Sequence, residues 1–416
     1  MRSNNKKLFR FLSILISFLI FFLACNQQEK SDRYTADYDN YMGWSIKMAD
    51  SEMARRGNSL MYGGSDPDAK WRYTTGLFLK SLFELWQETE DSRYLEYVRN
   101  VIDSFIEENG EIKTYKMTDF NLDKINSGKI LLELYQISND IKYKRSAEIL
   151  REQLRKQPRT SEGGFWHKKR YPSQMWLDGI YMSSPFYARF GVMFGEREVF
   201  DDVLKQIKLI DVHTRDSETG LRYHAWDESG EQVWADPLTG CSPHFWGRAM
   251  GWYSMALVDV LDYIPAEYES RSQILYILND LLKAIAKYQD ASGLWYQIVN
   301  LGERSGNYLE SSCSAMFVYS LAKAINKGYI DQLYRDIAVK GYTGLLNEMI
   351  SIDNDDKISL HNICSVAGLG GHPYRDGSFE YYISEPVVSN DLKGIGPFIM
   401  AGIQMEKVMS VALSQF

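Results

Sequence analysis

Cysteine is scarce in this 416-residue chain: four in all, and three (Cys241, Cys313 and Cys364) once the first 25 residues are set aside. An odd number without paired spacing supports no disulfide framework, and no Cys/His spacing matches a zinc motif. The three read as core residues. Basic charge is short as well. Forty-seven Lys and Arg against 55 Asp and Glu leave a formal net charge of -8, which argues against a nucleic-acid partner because phosphate binding needs a basic field. An anionic ligand must therefore meet a local basic patch. The run "DNDD" at 353–356 lacks the Gly and the bidentate Glu of a calcium loop and reads as a solvated turn; neither a metal nor a cofactor is expected. Alternating strand patterns are few and short, and no Pro-, Gly- or Ser-rich linker divides the chain after residue 40.

What is present is apolar and aromatic. Hydrophobic residues make up 45% of the chain, enough for one large core, and aromatics reach 14% with ten Trp and 28 Tyr, flat amphipathic faces that suit sugar rings as well as packing. The first residues run from a basic start through an apolar stretch, Phe11 to Leu23, to Ala24 and Cys25. This is an export signal, and its apolar run is shorter than the ~20 residues of a spanning helix. "FLAC" is similar to the lipobox of bacterial lipoproteins, in which the Cys is lipidated. The expectation is a lipoprotein signal peptide over 1–24, lipidation at Cys25, a polar tether over 25–39 and one domain over 40–416. The protein would then be exported and membrane-anchored, facing the periplasm or the cell surface. A plain signal peptide or an anchor helix is the alternative.

Apolar residues at three-to-four spacing recur throughout. They predict helices near 40–56, 72–88, 92–108, 127–138, 141–156, 184–194, 196–213, 244–263, 269–290, 309–326, 332–349 and 394–411. Ser242 and Pro243 are expected to open the eighth as N-cap and first helical residue. Twelve helices joined alternately by short turns and longer loops suggest six hairpins, and the loops carry a faint repeat: "SEGGFWHKK", "SETGLRYHAWD" and "ASGLWYQIV". A closed ring of hairpins, an all-α (α/α)6 barrel, would gather these loops at one mouth. A non-closing solenoid is the alternative.

Asp178, in "QMWLDGIYMSSPF", is set among large apolar side chains, where the proton-donating form of a carboxylic acid is favoured. With a helix start expected at Ser184 and Pro185, it falls on the approach to that helix. A capping or hydrogen-bonded structural Asp is the plainer reading. Asp123 is a second candidate, since paired carboxyl groups divide acid and base roles in sugar chemistry; alone it reads as a turn residue. His167 and Lys168, in "FWHKKRY", offer local positive charge for an acidic sugar or a solvated surface cluster. Arg248 and Trp252 share a helix face at four-residue spacing, with Trp246 and His244 just before, and such a helix start with an Arg is a natural carboxylate site. A buried Arg in a salt bridge fits equally. His224 stands in "RYHAWDES" and alone reads more as a hydrogen-bonded loop residue than as a site residue.

At these residues the sequence resembles an unsaturated rhamnogalacturonyl hydrolase of glycoside hydrolase family 105, related to the unsaturated glucuronyl hydrolases of family 88. The motifs are "WRYTTGLFL", "NLDKINSGKILLELY", "FWHKKRYPSQMWLDGIYMSSPF", "HAWDES", "GCSPHFWGRAMGWYSMALVDVLDYIP" and "DGSFEYYISEPVVSNDLKGIGPF". The resemblance implies a six-hairpin toroid that removes a terminal 4,5-unsaturated galacturonic acid from lyase-generated rhamnogalacturonan oligosaccharides by hydrating its C4=C5 double bond. It implies Asp178 as the acid/base, Asp123 as the second essential Asp, and Tyr73, His167, Lys168, His224, Trp246, Arg248 and Trp252 around the substrate. A monomer is expected. Unsaturated glucuronyl hydrolysis, an ordinary inverting glycosidase and a non-catalytic lipid-anchored glycan-binding protein are the competing readings.

Overall fold

The computed structural model describes residues 40–269 and 271–413. The expected signal peptide, Cys25 and the tether lie outside the described residues. Six helices form an inner ring: α2 (Tyr73–Thr89), α4 (Gly128–Ser138), α6 (Leu177–Phe194), α8 (Gly247–Val260), α10 (Ser311–Asn326) and α13 (Leu392–Leu413). Each packs against the next, and α13 packs back on α2, so the ring closes. Outside it lie α1 (Tyr41–Arg56), α3 (Ser92–Phe105), α5 (Ile141–Lys156), α7 (Val199–Thr214), α9 (Arg271–Ala286) and α11 (Arg335–Gly344), with a short α12 (Phe379–Ser384) in the last long loop. The fold is the single-domain (α/α)6 toroid.

Burial separates the two rings. Every residue of α10 from Ser311 to Ile325 is buried, as an inner helix touched on all sides must be. In α3 only Tyr94, Val98, Val101, Ile102 and Phe105 are, a single stripe at helical spacing. The inner-to-outer turns are tight and locally encoded. Glu90 and Asn139 end α2 and α4 in the left-handed region, and the next residues, Asp91 and Asp140, cap the following helices by accepting from Arg93 N and Lys142 N. The outer-to-inner connections are long, so all the long loops arrive at inner-helix N-termini.

Those loops confirm the repeat. Gly163, Gly220 and Gly293 all have positive φ (96°, 73° and 93°), which glycine adopts without strain. Each turn closes the same way: Thr160, Asp216 and Asp290 donate their N–H to the carbonyl just after the glycine (2.7, 2.9 and 2.9 Å). Four residues past each glycine stand His167, His224 and Gln297, all buried.

All twelve expected helices are present, but α6 begins well before its expected start, and α7, α8 and α11 begin at 199, 247 and 335 instead of 196, 244 and 332. α6 starts at Leu177, not 184, so Asp178 lies in its first turn and not on its approach. Strand β1 (Gln174–Trp176), paired antiparallel with β2 (Ala225–Asp227), runs straight into the helix, and Leu177 N donates to the His224 carbonyl (3.1 Å). Pro185 is interior; its missing N–H removes the bond to the Tyr181 carbonyl, a loss offset by burial of nearly the whole helix. α8 starts at Gly247 with Trp246 at the N-cap. Ser242 is used elsewhere: its hydroxyl and N–H bond Ala225 N and O (3.1 and 3.0 Å), tying the loop to β2.

Candidate active site

Asp178 is 14% exposed, and its Oδ2 lies 3.3 Å from His224 Nε2. Neither atom makes a hydrogen bond among the described residues, so the pair faces one another with capacity to spare. His224 is fully buried and fixed from behind, Nδ1 lying 2.7 Å from the Tyr382 hydroxyl. Trp176 walls the site: its ring stacks on His167 (4.6 Å, 12°) and Tyr171 (5.0 Å, 14°) and meets His224 edge-on.

Asp123 has a different environment. It sits in a 3-10 turn, Leu122–Lys124, capped by Asn121, and Leu122 N donates to the His167 carbonyl (3.1 Å). Its carboxylate contacts Lys168 Nζ at 2.5 Å and His167 Nε2 at 3.4 Å. Burial alone would raise the Asp123 carboxyl; Lys168 and His167 outweigh it and hold it below the usual carboxylate range. Burial also drives His167 down to about 4, against the pull of Asp123, so near neutral pH this contact joins a carboxylate to a neutral ring, not two ions. Gly179 lets the two halves meet. A Cβ there would stand 3.0 Å from His167 Nδ1 and 3.2 Å from Leu122 Cδ1.

Tyr73, the first residue of α2, feels the charges of Asp123, Asp178 and Arg248, and burial pushes its hydroxyl far above the ordinary value. It is therefore a neutral hydrogen-bond donor within the field of the carboxylates and the Arg. Arg248 is 1% exposed, as the buried, salt-bridged reading expects. It donates to Ser312 Oγ (3.3 Å) and the Cys364 carbonyl, stands 3.8 Å from buried Glu310, and keeps Nε without a partner. Trp246 and Trp252 are each 1% exposed, with Tyr382 and Tyr181 stacked on them. They are walls of the site already faced by protein. Lys168 and Asp123 thus come together, as do Asp178 and His224, while His244 stands apart near Phe379.

Three residues escaped the sequence reading. Gln297 accepts from Trp246 Nε1 and donates to the Tyr382 carbonyl (both 3.1 Å); its place in the third repeat is the signal that marks it. Tyr382, which holds His224, and Glu310, which caps α10 beneath Arg248, carry no local signal.

Residues 44–409 match Glycosyl Hydrolase Family 88. A solved C. acetobutylicum glycoside hydrolase from family 105 is 44% identical, with a TM-score of 0.84 over 87% of this chain and 99% of that one. Among curated proteins, the unsaturated rhamnogalacturonyl hydrolase YesR of Bacillus subtilis is 27% identical over 298 residues, 70% of this chain and 79% of that one. The unsaturated glucuronyl hydrolase of Bacillus sp. GL1, 15% identical with a TM-score of 0.65 over 88% of this chain and 96% of that one, shares the fold. With the toroid, the paired carboxylates and a match spanning nearly the whole domain, the chain is a glycoside hydrolase and belongs to Glycosyl Hydrolase Family 88.

Proposed function

We propose that this enzyme is an unsaturated glycuronyl hydrolase that removes a terminal 4,5-unsaturated galacturonic acid from lyase-generated rhamnogalacturonan oligosaccharides. Family membership supports the unsaturated glycuronyl chemistry; the galacturonyl-rhamnose preference is drawn from the likeness to YesR. The observation that carries the reading is the contrast between the two carboxyl groups. Asp123 is held in its ionised form by Lys168, while Asp178 lies 3.3 Å from His224 Nε2 and makes no ion pair with a Lys or Arg among the described residues.

Protonating an enol ether needs an acid aimed at one carbon. Asp178 gives its proton to C4, and positive charge develops at C5 beside the ring oxygen. Water adds at C5 and returns a proton to Asp178. The hemiketal then opens by breaking the bond from C5 to the ring oxygen, and the hemiacetal left at C1 expels the neighbouring sugar. Asp123 and neutral Tyr73 orient the ring hydroxyls, and Arg248, whose buried Nε has no hydrogen-bond partner among the described residues, is assigned to the substrate carboxylate. His224 aligns Asp178.

The test follows the ultraviolet band of the conjugated ene-carboxylate with unsaturated galacturonyl-rhamnose. Loss of the band with release of rhamnose is the expected result, and a band that persists with the wild-type enzyme overturns the reading. Export and anchoring through Cys25 are part of the proposal and rest on the first 25 residues. Labelling with a palmitate analogue, absent in Cys25→Ala, checks them.

A further inference from the structure

The cavity at the loop end, about 480 Å3, is edged by Tyr73, Asp123 and Lys168 and belongs to the site described above. Tyr382 does not line it and reaches the site from behind, through His224.

The whole of Tyr382 except its hydroxyl is fixed by neighbours. Ser378 caps α12 by accepting from Tyr381 N, and Tyr382 N donates to the Ser378 carbonyl (both 3.1 Å). Gln297, from the third repeated loop, donates to the Tyr382 carbonyl (3.1 Å), and the fully buried ring is stacked on Trp246 (5.9 Å, 28°). The third repeat thus anchors the tyrosine that meets the histidine of the second.

The Tyr382 hydroxyl has one hydrogen-bond partner among the described residues, His224 Nδ1 at 2.7 Å. Burial pushes the phenol well above its ordinary value, so its proton stays on the oxygen and needs an acceptor. Nδ1 accepts only through a free lone pair, which puts the single ring proton of His224 on Nε2. The opposite tautomer would aim Nδ1–H at the phenol oxygen and leave the phenol proton buried with nothing to bond. Nε2, in turn, faces Asp178 Oδ2 at 3.3 Å. His167 has no such support: its Nδ1 is buried without a partner among the described residues, and its ring faces an aspartate already held by Lys168.

We infer that Tyr382 is a positioning residue: it fixes the Nε2–H tautomer of His224, which makes Oδ2 of Asp178 an acceptor and assigns the transferable proton to Oδ1. This rests on the function proposed above. On protonation of C4 the Oδ1–H bond breaks and a C4–H bond forms from the π pair, and the charge left on the carboxylate is met at Oδ2 by Nε2–H. When water adds at C5 its proton returns to Oδ1. His224 keeps its own proton throughout and acts as a fixed dipole.

Tyr382→Phe keeps the ring on Trp246 and removes only the hydroxyl. In the ultraviolet assay kcat should fall about tenfold, with KM within about twofold of wild type. The readout that a structural role alone would not move is the tautomer. In enzyme labelled with nitrogen-15 at its six histidines, proton–nitrogen ring correlations identify the protonated nitrogen, and the His224 signals are the set lost in His224→Gln. Wild type should show Nε2–H, and Tyr382→Phe should show Nδ1–H or an average of the two. Thermal melting checks that the variant is folded; if it is not, the wild-type tautomer decides alone. Nδ1–H or a doubly protonated ring in wild type, or a folded Tyr382→Phe with unchanged kcat or unchanged tautomer, overturns the inference alone. A wild-type enzyme inactive on unsaturated uronyl substrates defeats the underlying reading and the inference with it.

Discussion

The two ends of the toroid hold similar residues and use them differently. At the far end a larger cavity, about 800 Å3, is lined by the C-terminal halves of inner helices. There Lys80 meets Glu84 and Glu133 (3.3 and 2.8 Å), Arg189 meets Glu133 in a two-pronged contact, and Lys323 meets Asp259 and Asp262 (both 2.6 Å). Every one of those cations is answered. At the loop end, Arg248 Nε, His224 Nε2 and Asp178 Oδ2 are buried without a hydrogen-bond partner among the described residues. Cavity size therefore does not mark the site; unspent hydrogen-bonding and charge do. Closed ion pairs stabilise a wall, whereas open ones wait for a ligand.

Substitutions at each end test that division. Asp178→Asn should lower kcat ~10³-fold, within the range for a lost acid/base, while the melting temperature stays close to wild type; a large stability loss with retained turnover would reverse the assignment. Glu133→Gln should do the opposite. Removing one partner of a buried pair costs ~3–5 kcal/mol, read as a fall in denaturation midpoint, with kcat per folded molecule kept. Burial pushes Glu133 up, but Lys80 and Arg189 bring it down to about 2 from 4.5. Its stabilisation is thus present above pH 4.5 and is lost as pH falls toward 2, a dependence the Gln variant should lack.

A smaller effect is expected between the ends. Lys129 Nζ is buried without a hydrogen-bond partner, 3.3 Å from the Tyr181 ring centroid, and burial lowers it from 10.5 to about 7. The unfolded chain binds the extra proton between those values, so this group destabilises the fold at neutral pH and does so less as pH rises to 10.5. Lys129→Met should be more stable at pH 7 by a few kcal/mol, at ~1.4 kcal/mol per pKa unit, and the gain should fade by pH 10.5 in paired denaturation curves. The smallest change is Gly179→Ala. Its Cβ crowds His167 Nδ1, and a displacement of a few tenths of an ångström should lower kcat about three- to tenfold, with little change in melting temperature.

The ring of helices was legible because an inner helix, buried all round, and an outer one, striped, both leave strong periodic signals. Starts were not legible where a cap residue was claimed by tertiary structure. Ser242 bonds β2 instead of capping α8, and Pro185 sits inside α6 because β1 already delivers the chain in register. The Asp178 and Asp123 neighbourhoods were readable from motif and loop position. Their partners were less so: Tyr382 reaches His224 from 158 residues away, and no local pattern carries such a contact. Trp246 and Trp252 were expected to face the substrate, and in the fold their faces are covered by tyrosines whose arrival depends on the packing of distant helices.

The glycine turns of the three repeated loops give the ring a modular property. Each turn fixes the backbone by its own hydrogen bonds and presents one inward position four residues later, occupied here by His, His and Gln. The scaffold and the chemistry are thereby uncoupled: what stands in a slot can change while the turn that offers it does not. Repeating hairpins with interchangeable slots give such a barrel a route to new substrates by exchange of single residues, without renegotiating the fold.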